Sequence, residues 1–139
     1  MARTNVRVSA IILDKDKILL MHRKKNGEEY WVFPGGGMED TETQMEGIIR
    51  EVKEETNLDV VNCTLDFMAF NEASNKEEPF FRCEVKEGGK LEIKGEEKDK
   101  HSEENWYHLE WVKINDINKI WLVPELAAKE VVKRYSSIK

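Results

Sequence analysis

A proline and three consecutive glycines separate a predicted strand from a predicted helix in the first half of the chain. Residues 30–33 have the aromatic and β-branched content of a strand, and Pro34 with the glycines predicts a loop directly after it. Thr41 and Gln44 have the spacing of a capping box, which predicts a helix that runs to about Thr56. Glycines allow the backbone of such a loop to approach a neighbouring group or ligand closely.

The predicted helix carries apolar and acidic side chains on adjacent faces. Its apolar positions recur at helical spacing and indicate the side that packs on the core; they are Met45, Ile48, Ile49 and Val52. Three carboxylates, Glu51, Glu54 and Glu55, cluster about a third of a turn from the centre of that stripe. Residues three and four apart are neighbours on a helix, so these carboxylates repel one another unless a cation lies among them.

Two kinds of cation can offset this repulsion. Arg50 has the spacing to pair with Glu46 and Glu54, which makes an ordinary salt-bridged, solvent-facing helix surface one explanation. A metal ion is the other, and the glycine loop before the helix favours it. Carboxylate and carbonyl oxygens are ligands of Mg²⁺, which commonly bridges to substrate phosphates, and Mn²⁺ is a substitute.

Composition limits the class of protein. The 139 residues predict a single domain over residues 1–139, with 40% hydrophobic and 36% charged residues, as in globular proteins. The net charge of −6 argues against a grip on bulk nucleic acid, so a polyanionic substrate would need divalent cations as mediators. The opening residues lack the apolar run of a signal peptide, and no segment reaches membrane-spanning length. We therefore expect a cytoplasmic protein without a membrane partner.

The rest of the chain is predicted to consist mainly of strands, by β-branched content and turn residues. They lie at residues 6–14, 18–23, 60–70, 79–85, 91–93 and 106–114, with a short helix at 116–120 and a last helix that has Pro124 at its first position. Cys63 and Cys83 fall in apolar strand segments without metal-ligand spacing, which predicts buried free thiols. The apolar strands leave open whether they pair within one subunit or across a homodimer interface.

Residues 36–58 together resemble the signature of the Nudix hydrolases, the MutT-like family. In that pattern a glycine is followed at fixed spacing by Glu, Arg-Glu, an apolar residue, Glu-Glu, Gly and an apolar residue. The matching residues are Gly36, Glu42, Arg50, Glu51, Val52, Glu54, Glu55 and Leu58. Asn57 replaces the second glycine, at the point where the helix is expected to end in a left-handed residue, and asparagine tolerates that conformation best among the other residues.

The resemblance implies a fold and an activity. The fold is of the α+β class, with a mixed β-sheet sandwiched between helices in an α/β/α arrangement. The activity is Mg²⁺-dependent cleavage of a pyrophosphate linkage in a nucleoside diphosphate linked to another moiety, a small-molecule nucleotide. A metal-activated water attacks one phosphorus in such a reaction, and cations offset the repulsion between an acidic protein and an acidic substrate.

The resemblance also assigns roles to individual residues. Glu51, Glu54 and Glu55 would ligate the metal, together with the carbonyl of Gly36, and would take part in catalysis. Arg50 would belong to the catalytic group as well, and its pairing with Glu42 would brace the loop against the helix. A downstream glutamate, offered by Glu96, Glu97, Glu103 and Glu104, would ligate metal or serve as general base. We favour Glu97 because it follows Gly95, although an ordinary solvated charge is the alternative for each of the four.

The sequence says less about the substrate. Arg23 is a candidate phosphate contact or a solvated hairpin arginine. Four aromatic residues are candidates for stacking on a base or for the core, namely Tyr30, Phe80, Trp106 and Tyr107, and we assign Trp31, Trp111 and Trp121 to packing. The proline and tyrosine patterns by which the family's other substrate classes are told apart are not evident, so a nucleoside triphosphate, unmodified or modified, is favoured by default.

Two hypotheses of other classes remain at this point. The first is a non-catalytic nucleotide-binding sensor with the same fold, which would be expected to lose metal carboxylates that this chain retains. The second is an acidic interaction protein whose helix merely faces solvent. Binding of Mg²⁺ tests the second, and turnover of a nucleotide panel tests the first.

Overall fold

Strands of mixed direction build the frame that holds the glycine segment and the helix after it. The structure is a computed structural model and describes residues 3–86 and 105–136. Within these residues the strands are β1 Arg3–Asp14, β2 Lys17–Lys25, β3 Glu28–Val32, β4 Gly35–Glu39, β5 Val60–Asn71, β6 Lys76–Val85, β7 Asn105–Lys113 and β8 Leu122–Val123. The helices are α1 Gln44–Thr56, a 3-10 helix Ile114–Lys119, and α2 Glu125–Tyr135.

The eight strands of the described residues form one mixed sheet that branches at β1 and β2. Strand β1 is antiparallel to β2 and β4 and parallel to β6, whose other neighbour is the antiparallel β5. Strand β2 is antiparallel to β3 and β7, and β3 runs parallel to β8. The predicted hairpin of residues 6–14 and 18–23 is confirmed, whereas the predicted strand 91–93 lies outside the described residues.

Two apolar cores lie on opposite faces of β1 and place one helix on each side of the sheet. Val8 and Ala10 pack in a cluster that includes Ile48 of α1. Ile11, whose side chain points the other way, packs in a cluster that includes Val131 of α2. This alternation confirms the predicted α+β class with helices on both sides of a mixed sheet.

The glycine segment differs from its prediction, because residues 35–39 form a strand rather than a loop. Ser9 of β1 lies opposite Gly35, and Val8 lies opposite Gly36. Glycine is a weak strand former, so the sequence indicated a loop. A Cβ on Gly35 would lie 2.1 Å from the Val8 carbonyl oxygen, so the close approach of β1 and β4 requires glycine there.

Helix α1 begins at a different capping box from the predicted one. Thr43 is the N-cap, its Oγ1 accepts a hydrogen bond from the Glu46 backbone N–H at 3.1 Å, and the Glu46 carboxylate accepts from the Thr43 N–H at 2.9 Å. The pair Thr41 and Gln44 has the same spacing two residues earlier, so the sequence contains this motif in two registers. The predicted end of the helix at Thr56 is confirmed.

The buried face of α1 is rotated from the predicted stripe towards the carboxylates. Ile48 and Val52 are fully buried, but Met45 and Ile49 are 46% and 39% exposed. The other buried positions of the helix include Gly47 and Glu51, because α1 packs on the glycine strand β4 as well as on β1. A glycine strand lets the helix approach, and so Glu51 faces the protein interior rather than water.

The C-cap of helix α1 is Asn57, the residue that replaces the second glycine of the family pattern. Asn57 adopts φ 66° and ψ 8°, and its backbone N–H donates to the Lys53 carbonyl oxygen at 3.0 Å. This left-handed conformation confirms the prediction for residue 57.

We expect Asn57→Gly to change the free energy of unfolding by less than about 1 kcal/mol, neutral or stabilising, since glycine adopts this conformation without strain. Urea denaturation measures the change.

Asn57→Ala is the matched control, because alanine at a left-handed position should cost about 1 kcal/mol or more relative to glycine. A clear loss of stability in Asn57→Gly would show that the asparagine side chain itself supports the helix end.

The remaining predictions are met with small differences. Cys63 and Cys83 are buried free thiols, as predicted, and burial raises the pKa of both. The short helix predicted at 116–120 is the 3-10 helix Ile114–Lys119, and Pro124 immediately precedes α2 instead of occupying its first position. Among the described residues, no helix has the length and apolar character needed to span a membrane.

Candidate functional site

Glu51 lies against the backbone of the glycine strand. Its residue surface is 6% exposed, and a Cβ built on Gly36 would lie 2.5 Å from its carboxylate carbon. The space that any other side chain at residue 36 would fill is therefore taken by this carboxylate. The Gly36 backbone and the Glu51 carboxylate are therefore close together.

Glu55 is held by the neighbouring glycine of the same strand. The Gly35 backbone N–H donates to Glu55 Oε1 at 2.8 Å. Gly35 has φ 153°, a conformation that favours glycine, and this orients its N–H towards the last turn of α1. Two neighbouring glycines of β4 thus lie against Glu51 and Glu55, which are one turn apart on the same side of the helix.

Arg50 and Glu42 form the predicted pair. The guanidinium donates through Nε and Nη2 to the two carboxylate oxygens, at 2.5 and 2.9 Å, and Nη2 also donates to the Gly37 carbonyl oxygen at 3.1 Å. Glu42 Oε1 accepts a further hydrogen bond from the Glu39 N–H at 2.9 Å. A bidentate pair of this kind fixes both position and orientation, and it joins α1 to the end of β4.

The third nitrogen of Arg50 lies among the metal-ligand candidates. Nη1 donates to Glu51 Oε2 and to Glu54 Oε1, each at 3.2 Å. The hydrogen bond to Glu42, followed by the charges of Glu51, Glu42 and Glu54, raises the pKa of Arg50 above its ordinary value against the opposing effect of burial. The predicted pairing with Glu54 is present, but Glu46 caps the helix instead of pairing with Arg50.

The candidate ligands fit a divalent cation by chemistry and by the cradle at Gly36. Glu54 is exposed apart from its contact with Arg50, and all the candidate ligand atoms are hard oxygens. Within residues 3–86 and 105–136, however, no three His, Cys, Asp or Glu side chains are grouped closely enough to hold a metal ion. The carboxylates instead face Arg50 Nη1 and the Gly35 N–H, so a cation here would replace the Nη1 contacts while the Arg50–Glu42 pair remains.

A cavity of about 640 Å³ opens beside Glu55. Its lining includes both predicted substrate-binding residues, Arg23 and Tyr30. The other lining residues come from β1, β2 and β3, from the end of β5 and the turn after it, and from the segment that leads through β8 into α2; they include Arg7, Ser9, Phe70, Asn71, Glu72, Ala73, Trp121, Leu126 and Lys129. Cationic and aromatic groups therefore lie in the same cavity as a metal-ligand candidate, and its volume is in the range of small-molecule sites.

Arg23 lies between aromatic rings, which orients its guanidinium. Its Cζ is 4.2 Å from the centroid of Tyr107 and 5.9 Å from that of Tyr30. These residues are register partners on β2, β3 and β7 and face the same side of the sheet. Stacking of this kind restrains the orientation of an arginine side chain.

The aromatic predictions have mixed outcomes. Phe80 is fully buried and Tyr107 is 7% exposed, so both belong to the interior, whereas Tyr30 lines the cavity. Trp106 lies outside the cavity lining and stacks with His108. The assignment of Trp121 to packing is wrong, because it is 49% exposed, lines the cavity and meets Tyr30 edge to face at 6.0 Å.

Sequence reasoning missed the contribution of two other segments to the cavity. Residues 70–73, 121 and 123–126 supply part of the lining, and nothing in their local pattern distinguishes them from ordinary strand ends. The four downstream glutamates, Glu96, Glu97, Glu103 and Glu104, lie outside the described residues.

Comparison with known proteins identifies related chains. A family model described as the NUDIX domain matches residues 3–132. The MutT protein of Bacillus halodurans, a solved structure, is 29% identical and superposes with a TM-score of 0.61, over 92% of this chain and 79% of that one. The fold is thus found again in a related structure over nearly all of this chain.

Two curated relatives match over shorter segments. The 8-oxo-dGTP diphosphatase of Proteus vulgaris is 38% identical over 60 residues, which are 41% of this chain and 54% of that protein. The ADP-ribose pyrophosphatase of Methanocaldococcus jannaschii is 46% identical over 54 residues, which are 38% of this chain and 32% of that protein. The chain therefore matches about half or less of the length of these relatives, and their named substrates differ.

Proposed function

Because the chain belongs to the Nudix family, we propose that it is a Mg²⁺-dependent hydrolase that cleaves a pyrophosphate linkage in a nucleoside diphosphate linked to another moiety. Mn²⁺ is the substitute that the same oxygen ligands would accept. Two relatives named for acting on nucleotide pyrophosphates, one on 8-oxo-dGTP and one on ADP-ribose, support this class of substrate.

One observation carries the proposal: Glu55 belongs at once to the acidic side of α1 and to the lining of the cavity. The same cavity contains Arg23 and Tyr30, an anion contact and an aromatic ring. A nucleotide has a polyanionic part and a flat aromatic part. A substrate whose phosphates lie towards Glu55 would have its base within reach of the aromatic side of the cavity.

Glu51, Glu54 and Glu55, with the Gly36 carbonyl, are the residues that would hold the metal. When bound there, Mg²⁺ would lower the pKa of a water molecule and offset charge that develops on the phosphate oxygens. The Arg50–Glu42 pair keeps α1 in register with β4, and so holds Glu51 against Gly36. The Gly35 N–H orients Glu55, and Arg23 contributes a fixed positive charge on the substrate side.

The substrate within this class is proposed from the sequence pattern and the size of the cavity. A volume of about 640 Å³ accommodates one nucleotide, and a nucleoside triphosphate, unmodified or modified, is the favoured substrate. ADP-ribose is the principal competitor, because the relative from Methanocaldococcus jannaschii is named for it.

A nucleotide panel tests the proposal directly. The full chain is incubated with an excess of MgCl₂ and with unmodified and oxidised nucleoside triphosphates, ADP-ribose and dinucleoside polyphosphates. We expect cleavage of at least one compound, loss of activity with a chelator, and recovery with Mg²⁺. Binding of nucleotides without turnover of any would favour the non-catalytic sensor, and absence of Mg²⁺ binding would favour the acidic interaction protein.

A downstream glutamate is proposed as the general base, and Glu97 is the prediction among the four candidates. A base must come within hydrogen-bond reach of the attacking water, which a loop residue can achieve once substrate is bound. We expect Glu97→Gln to lower kcat about a hundredfold or more with little change in KM. Glu103→Gln and Glu104→Gln, measured under saturating metal, are the matched controls. A large defect confined to either of them would transfer the role to that residue.

A further inference from the structure

Glu78 is a buried carboxylate that does not belong to α1, and hydrogen bonds connect it to one wall of the cavity. Glu78 of β6 is 2% exposed, lies opposite Ala69 of β5, and precedes by two residues the fully buried Phe80. Residues two apart on a strand face the same side, so this carboxylate lies on the apolar side of the sheet that α2 covers. Burying a carboxylate there is costly unless its oxygens are hydrogen-bonded.

Both oxygens of Glu78 are used by the turn that joins β5 to β6. Oε1 accepts from the Asn71 side-chain Nδ2 at 3.0 Å, and Oε2 accepts from Ser74 Oγ at 2.8 Å. The Asn71 side-chain Oδ1 in turn accepts from the Ala73 backbone N–H at 3.0 Å. The Asn71 amide is therefore held at both ends, which fixes its orientation.

The backbone of the same turn is closed by Asn71. Its carbonyl oxygen accepts from the Asn75 N–H at 2.8 Å, and Asn75 has φ 60°, a left-handed conformation that asparagine tolerates. Four consecutive residues at this place, 70–73, line the cavity that contains Glu55 and Arg23. The position of this cavity wall thus depends on hydrogen bonds that lead back to one buried carboxylate.

We propose that Glu78 is a positioning residue, which through Asn71 and Ser74 holds the β5–β6 turn as one wall of the substrate cavity and so sets the affinity for the nucleotide. The inference rests on the proposed function, because it takes the cavity as the place where the nucleotide binds. Glu78 itself lies behind the wall and acts on the substrate only through the turn.

Two substitutions of similar size separate the hydrogen bonds from the volume of the side chain. In Glu78→Gln the amide oxygen accepts from Asn71 Nδ2, and the amide nitrogen donates to Ser74 Oγ, which becomes the acceptor. In Glu78→Met both acceptors are lost. With the best substrate of the panel, we expect Glu78→Met to raise KM about tenfold or more, with kcat within about threefold of wild type. Glu78→Gln should stay within about threefold in both constants.

We expect Glu78→Met to fold. A rise in KM without a fall in Tm then separates a role in positioning the turn from a role in the stability of the whole protein. Methionine suits the apolar surroundings, while the half-buried Asn71 and the exposed Ser74 can turn to water. We therefore expect the Tm of Glu78→Met to be unchanged or higher, together with the rise in KM. Glu77→Met, at the exposed neighbouring position of β6, is the matched control and should leave KM and kcat unchanged.

Hydrogen exchange provides a readout that does not depend on catalysis. The Ala73 amide, protected by Asn71 Oδ1, should exchange faster in Glu78→Met and at the wild-type rate in Glu78→Gln. Should Glu78→Met fail to fold, Ser74→Ala removes the hydrogen bond to Glu78 Oε2, together with a longer one to the Asn71 carbonyl oxygen at 3.3 Å, and should raise KM about threefold.

Several results would overturn the inference. Faster Ala73 exchange with an unchanged KM would show that the turn is not part of the substrate site. Unchanged Ala73 exchange in Glu78→Met would show that the Glu78 hydrogen bonds do not hold the turn. The same conclusion would follow if Glu78→Gln had as large a rise in KM as Glu78→Met, or if Ser74→Ala left KM unchanged. A wild-type protein that cleaves no nucleotide would instead overturn the proposed function, a failure that is visible before any variant is compared.

Discussion

Glu54→Gln and Glu55→Gln should each lower turnover by about two to four powers of ten, because each removes a negative charge that the bound metal requires. The fold should survive both changes. Glutamine retains a carbonyl oxygen that can accept from the Gly35 N–H in place of Glu55, or from Arg50 Nη1 in place of Glu54. The measurements are kcat at saturating Mg²⁺, Mg²⁺ affinity by isothermal titration, and Tm.

Glu28→Gln is the matched control for this pair, since it removes the same charge from an exposed position at the start of β3. We expect wild-type kcat and Mg²⁺ affinity in this control. If Glu54→Gln and Glu55→Gln both retained near wild-type rates at saturating Mg²⁺, the assignment of the metal site to α1 would be wrong. A loss of activity accompanied by a large fall in Tm would point to folding instead of chemistry.

The largest effect on stability is expected from Gly35→Ala. A Cβ at this position would lie 2.1 Å from the Val8 carbonyl oxygen and 2.8 Å from Ser9 Cα, both backbone atoms of the paired strand β1. The backbone cannot turn aside as a flexible side chain can, and φ 153° is itself unfavourable for alanine. We expect the free energy of unfolding to fall by about 3 kcal/mol or more, measured by urea denaturation.

Gly27→Ala separates the two causes of this loss. Gly27 also has a positive φ, 85°, but a Cβ there would meet no atom within 4 Å. In this control the free energy of unfolding should fall by only about 1 to 2 kcal/mol, from the unfavourable backbone conformation alone. Equal losses in the two variants would mean that the contact with β1 does not limit residue 35, and that β4 can move away from β1 without cost.

The site was predictable where its contacts are local in sequence. Glu51, Glu54 and Glu55 share one side of a helix by spacing alone, and Asn57 marks its end because a left-handed residue is needed there. The Arg50–Glu42 pair spans eight residues, and it was implied by the family pattern rather than by helix geometry. Each of these features depends on neighbours within about two helical turns, and sequence patterns describe that range well.

The structure corrected predictions that depended on distant partners. The glycine segment became strand β4 because β1 supplies its hydrogen bonds, and the paired residues are 26 to 36 positions apart, a separation that local propensity does not register. Trp121 was assigned to packing by residue type, yet its exposure depends on how β8 lies beside β3. Met45 and Ile49 fit the helical spacing, but the packing of α1 on β4 turned the buried face towards Glu51.

The amino-acid sequence alone determined the family signature, the strand before the glycine segment and the helix after it, and the kind of ligand that the oxygen donors suit. Periodicity, capping and turn chemistry act over a few residues, so they can be read from the order of the residues themselves. Only the tertiary structure decided that Glu51 lies against Gly36, that Arg50 Nη1 lies between two carboxylates, and that Glu78 is connected to the cavity wall. These contacts join elements whose relative positions come from long-range strand pairing and from the burial of both faces of β1, which no local pattern specifies.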